Sequence, residues 1–148
     1  PHEAEDVTAR TFLSALAELP RFEERAMPAD GEGASTFRVW LFRIARNAIA
    51  EHRRTARRRP QAALEAALTV PAPIDIEGDA VVRAETEAAW QAIARLDDDR
   101  RQAIVLRFVH ELTTAEMAGV LGRSEGAVRV LLHRALRSVA GDLRRRGR

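Results

Sequence analysis

The sequence predicts an all-α protein made of two small helical domains joined by a flexible linker. Three observations predict it. Apolar residues recur at helical spacing in both halves, and no stretch shows a strong strand-like alternation. Helix starts and stops carry capping residues, a glycine and a proline. Between the halves, Pro60, Pro71, Pro73 and Gly78 stand mostly among small residues, the composition of a linker. The chain therefore divides into residues 1–59, a linker over 60–80, and residues 81–148. Its 148 residues are 46% hydrophobic, enough to bury a core. Only 5% are aromatic, so the core rests on Leu, Val, Ile and Ala, a mix that favours helix.

The first helix is expected over Glu3 to Leu19, with Phe12, Leu16 and Leu19 on its inner face, and Pro20 ends it. Residues 21–35 form a polar loop holding Pro28, Gly31 and Gly33. The next helix is the best defined. Phe37, Trp40, Leu41, Ile44, Ala45 and Ala48 follow the i, i+3, i+4, i+7 rhythm, and Arg38, Arg43, Arg46 and Asn47 occupy the other side before the Arg cluster at 53–59. After the linker, Trp90 and Ile93 begin an apolar face, and Ile104, Val105 and Phe108 continue it on a further helix. Asp97, Asp98 and Asp99 mark a solvated helix start, where acids suit the dipole.

Residues 112–139 are the most informative stretch. Thr113 and Glu116 have the spacing of a capping box, and Met117, Ala118 and Leu121 form an inner face. Gly122 follows as a left-handed stop. Ser124 then caps a new helix whose inner positions are Val128, Leu131 or Leu132, Ala135 and Val139. Helix, tight glycine turn, helix is the helix-turn-helix order. In that motif the second helix enters the major groove. Its outward positions here are Ser124, Glu125, Arg129, Val130, His133, Arg134 and Arg137. Arg129 has the fork that pairs with guanine or holds a phosphate, and Arg134 and Arg137 suit phosphates. A plain three-helix bundle with a solvated Arg face would use the same apolar spacing.

Charge placement points the same way. The formal net charge is +2 while the sequence pI is about 10.6. Every basic side chain is Arg and there is no Lys, Tyr or Cys, so the pI overstates basicity at neutral pH. What matters is that Arg clusters at 53–59 and 144–148 while acids gather between Glu65 and Asp99. Zero cysteines exclude disulfides and thiolate chemistry. His2, His52, His110 and His133 lack partners at zinc-motif spacing, so neither a metal nor a cofactor is expected. No catalytic motif is present, and the reading is of a non-enzyme. No apolar run is long enough for a membrane span and no signal peptide is visible, which places the protein in the cytoplasm. Two helical units with separate basic surfaces imply contact with DNA at two places. One is a duplex reader. The other is an Arg-rich helix bearing Trp40, suited to single strands on which bases stack.

Three blocks, AEDVTARTFLSAL (4–16), FRVWLFRIARNAIAEHRR (37–54) and LDDDRRQAIVLRFVHELTTAEMAGVLGRSEGAVRVLLHRALRSV (96–139), resemble conserved regions two and four of the extracytoplasmic-function sigma factors of bacterial RNA polymerase. The resemblance covers nearly the whole chain apart from the linker and the 21–35 loop. It implies a protein that binds core RNA polymerase, directs it to −10 and −35 promoter elements and opens the promoter. It assigns Glu5, Asp6, Ala9, Arg10 and Leu13 to the polymerase contact. Trp40, Arg43, Arg46, Asn47, Arg53 and Arg54 fall to the opened −10 strand, with Asn47 near a flipped base. The −35 duplex falls to Ser124, Glu125, Arg129, Val130, His133, Arg134 and Arg137. It further implies an anti-sigma factor as partner, no small-molecule substrate, and another helix upstream of residue 1. Three features depart from the family pattern. Ala9-Arg10 stand where Gln-Glu is frequent, the 21–35 loop is long, and Val130-Leu131 replace positions that are often Ser and Arg. Two other readings use the same residues: a stand-alone helix-turn-helix regulator, which would need a self-complementary dimer interface, and a protein-interaction module.

Overall fold

The computed structural model of the chain describes residues 2–23, 34–58 and 80–146. These form six α-helices: α1 (His2–Glu18), α2 (Thr36–Arg57), α3 (Ala80–Ala94), α4 (Asp98–Ile104), α5 (Thr114–Leu121) and α6 (Glu125–Arg146). No strand occurs among the described residues. The expected linker lies outside them except for Ala80, which opens α3, and so does most of the 21–35 loop. The chain gathers into two compact units. One is Pro1–Leu68 with Ala115–Arg123, the other Thr69–Thr114 with Ser124–Arg148.

In the first unit α1 packs on α2. The buried residues are Thr11 and Ala15 on α1 and Val39 and Ile44 on α2. Thr11 satisfies its own hydroxyl by donating to the Val7 carbonyl at 2.8 Å, so burying it leaves no orphan donor. This corrects the expected inner face of α1. Phe12, Leu16 and Leu19 are 56%, 65% and 46% exposed. Each step along a helix turns it by about 100°, so the face centred on Thr11 and Ala15 turns the larger residues outward. Pro20 does close the helix, as the second residue of a 3-10 turn, Leu19–Arg21. On α2, Ile44 is buried as expected and Val39 joins it, whereas Phe37 stays exposed. Ser35 caps α2 by accepting the Arg38 N–H at 3.2 Å.

A second contact reaches the start of α2 from far along the chain. Glu116 of α5 is fully buried. Its Oε1 accepts the Ser35 N–H at 2.9 Å, and its Oε2 lies 3.6 Å from Arg38 Nη1. Sequence spacing assigns this carboxylate to the start of its own helix; its reach to α2 is a tertiary feature that local spacing does not reveal. Met117, Val120 and Leu121 are the other buried residues of α5.

In the second unit Leu96, Ile104 and Ala135 form a core against which Ile93 and Val139 pack. Asp97 caps α4 by accepting the Arg100 N–H at 2.9 Å, as the acidic run predicts. Arg101 Nη2 donates to the carbonyls of Ala94 at 2.9 Å and Leu96 at 2.7 Å, satisfying acceptors left open where α3 ends. Beyond α4 the helix widens into a π-turn, Val105–Val109, in which the His110 N–H donates to the Val105 carbonyl at 3.1 Å. The wider turn shifts the register. Leu106 is buried and Phe108 is 57% exposed, so Phe108 does not continue the apolar face begun by Ile104.

Candidate nucleic-acid interface

The residues from α5 through α6 run helix, turn, helix. Gly122 adopts φ +63°, a conformation other residues enter only with strain. The Arg123 N–H closes the turn on the Ala118 carbonyl at 3.0 Å. Ser124 then accepts the Ala127 N–H at 3.2 Å and starts α6. Local chemistry alone thus decides where one helix stops and the next begins.

Val128 and Ala135 are fully buried on α6, which turns the opposite side to solvent. Of the seven outward positions expected from the sequence, Ser124, Arg129, Val130, His133, Arg134 and Arg137 are exposed and Glu125 is half-buried. Arg129 Nη2 donates to Glu125 Oε2 at 3.0 Å, an i,i+4 pair that holds the guanidinium against the first turn of the helix. The far end of α6 is anchored by Asp142. It takes a hydrogen bond from Arg95 of α3 at 2.9 Å and one from Arg145 at 3.2 Å, while Arg146 lies 3.6 Å away. Burial pushes the Asp142 carboxyl up, but these three guanidinium groups outweigh it and hold it below the usual carboxylate range. Arg146 also donates to Gln91 at 2.7 Å.

The second basic surface is on α2. Trp40 is half-buried; its ring centroid lies 5.0 Å from Phe22 and 5.5 Å from Phe37, and Phe22 meets Phe37 edge-on at 5.6 Å. Arg43, Asn47 and Arg54 are exposed, and Arg46 and Arg53 are half-buried. Arg54 is bonded to Glu51, and that bond, followed by the charges of Arg54, Arg58 and Arg10, holds the Glu51 carboxyl below its ordinary value.

A cleft of about 990 Å³ runs along this surface. Arg10 and Leu13 of α1 and Trp40, Arg43 and Asn47 of α2 all line it. Members of the expected polymerase set and the expected single-strand set therefore line one cleft. Arg46, Arg53 and Arg54 lie outside its lining, and so do Glu5, Asp6 and Ala9, which are exposed on α1. Phe22 and Glu51 carry no signal in the sequence, and the capping-box spacing that marks Glu116 points to its own helix and not to α2. Phe22 is an isolated aromatic beyond a proline, Glu51 is one acid among many, and Glu116 needs a partner 81 residues away.

The family model for sigma-70 region 4 matches residues 86–139. The extracytoplasmic-function RNA polymerase sigma factor BldN of Streptomyces coelicolor is 33% identical over 138 residues, covering 93% of this chain and 49% of BldN. The chain thus spans about half the length of that relative. The sigma factor ShbA of Streptomyces griseus is 32% identical over 139 residues, covering 91% of this chain and 69% of ShbA. Among solved structures, the sigma factor RpoE in complex with the anti-sigma factor NepR from Bartonella quintana superposes with a TM-score of 0.68 at 22% identity, over 97% of this chain and 82% of RpoE. That likeness shows the fold.

Proposed function

Because this chain belongs to the extracytoplasmic-function RNA polymerase sigma factors, we propose that it binds core RNA polymerase, places it at promoters and helps open them. The single observation that carries the reading is α6. It is a Ser124-capped helix following a Gly122 turn, buried along Val128 and Ala135 and cationic on its exposed side. Such a helix docks in a major groove with its first turns toward base edges. Arg129 reads a base or holds a phosphate there, and Arg134 and Arg137 neutralise the backbone.

The cleft beside α2 takes the complementary task. Trp40, Arg43 and Asn47 offer a ring, a cation and an amide on one wall. That combination suits an unstacked base with its phosphate. Extruding a base costs a few kcal/mol, and a prepared pocket offsets part of that cost. The remainder comes from the polymerase contact, for which Glu5, Asp6, Ala9, Arg10 and Leu13 on α1 are the proposed residues. An anti-sigma factor is the proposed regulator. The exposed Phe12, Leu13 and Leu16 give such a protein an apolar face to cover, and the similarly folded RpoE is bound by one.

The experiment is co-purification of the chain with core polymerase, followed by footprinting of the complex on genomic promoter fragments. Protection of an upstream duplex element together with reactive thymines downstream is the expected result. Duplex protection by the chain alone, unchanged by polymerase, would instead favour a stand-alone regulator.

A further inference from the structure

One line of α6 faces directly away from its buried side. Gly126, Val130, His133 and Arg137 follow one another at i, i+4, i+7 and i+11, the spacing of a single stripe on a helix. Val130 is 49% exposed, an aliphatic side chain on a face whose neighbours Arg129, His133 and Arg134 are all polar. Side chains on a helix lean toward its N-terminus, so Val130 leans over the turn that holds Gly126. Nothing lies within 4 Å of where a Cβ on Gly126 would stand. Gly126 thus leaves open space one turn before an exposed aliphatic side chain, with Arg129, paired to Glu125, and Arg134 beside them on the helix.

We propose that Val130 is a specificity-determining residue that reads a thymine through its 5-methyl group in the upstream promoter element. This rests on the docking of α6 in the major groove put forward above. The chemistry selects the base. Apart from small C–H edges such as the cytosine C5–H, the groups that a base pair displays in that groove are hydrogen-bond donors or acceptors, and an aliphatic side chain gains nothing from those; the thymine methyl is the apolar protrusion. The surrounding arginines favour the duplex over an apolar protein surface, because a phosphate lattice complements them. Gly126 leaves room for the methyl to approach, whereas a larger residue there would narrow that space.

The test is a cycle of substitutions on both partners, with the full chain bound to core polymerase. Promoter fragments carry uracil in place of each thymine of the upstream element in turn, which removes the methyl and nothing else. At one position the wild-type complex is expected to bind the uracil fragment about fourfold more weakly, the loss of one buried methyl. Val130→Ala is expected to bind the thymine fragment with a comparable loss and to ignore the uracil change at that position. Alanine favours helix, and an unchanged melting curve shows that the variant keeps its fold. Indifference of the wild-type complex to uracil at every position overturns the proposal. So does a Val130→Ala complex that keeps the full uracil penalty, and weakened polymerase binding by this variant without a uracil effect would assign Val130 to the protein partner. Binding insensitive both to uracil and to Arg129→Ala overturns the docking of α6 itself.

Discussion

Single residues divide here into those that read a partner and those that hold a reader in place. Arg129, exposed and braced by Glu125, is proposed for the first kind. Arg129→Ala is expected to weaken holoenzyme binding at the upstream element by about 1–3 kcal/mol, measured by titrating promoter fragments against the polymerase complex. Asn47 lies in the wall of the α1–α2 cleft. Asn47→Ala is expected to leave polymerase binding intact while lowering permanganate reactivity of the downstream thymines; normal reactivity would remove its assigned role. Glu116 holds a helix in place. Glu116→Ala strips an acceptor from the half-buried start of α2 and leaves Arg38 without that carboxylate. A loss of about 1–3 kcal/mol in the stability of the first unit is expected in thermal melts, with Glu116→Gln recovering part of it. Asp142 gives a pH signature. Its carboxyl is depressed in the folded chain, so its contribution is complete above the unfolded value of about 3.9. That contribution is lost as the pH falls through the lower folded value. Asp142→Asn should therefore erase part of the acid limb of the stability curve and leave its shape between pH 6 and 8, about two units and more above that value, unchanged.

At the scale of elements, what the sequence made legible was what local chemistry decides. The Gly122 turn, the Ser124 cap and the Asp97 cap all stand where their residue types require. Val128 and Ala135 are buried as spaced. What tertiary contacts decide was not legible. The inner face of α1 is the one that meets α2, and it carries Thr11 and Ala15 and not the larger Phe12 and Leu16. The π-turn at Val105–Val109 has no residue signal, and a strict 3.6-residue rhythm misplaces Phe108. The candidate site divides the same way. The outward face of α6 follows from its buried face, whereas the cleft joining Arg10 and Leu13 to Trp40 and Asn47 depends on two helices meeting. The aromatic trio of Phe22, Phe37 and Trp40 is the stabilising element beside that cleft. Trp40→Ala is expected to lower the stability of the first unit by about 1–3 kcal/mol, less than for a fully buried aromatic, as read from a denaturant melt.

On the scale of the whole molecule, the proposed function rests on two nucleic-acid surfaces of different kinds. The α6 face suits duplex DNA, and the α2 cleft suits an unpaired strand. A small protein with a net charge of +2 gains little non-specific affinity from charge alone. Under the proposed function, promoter recognition therefore depends on polymerase to hold both surfaces on one DNA. The exposed apolar residues of α1 are what a protein partner would cover. Run-off transcription with purified core polymerase tests this account most directly. With the chain present, discrete transcripts are expected from promoter fragments, and they should disappear when the upstream element is scrambled. Transcription that is identical with and without the chain, while the chain still binds those fragments by itself, would contradict it.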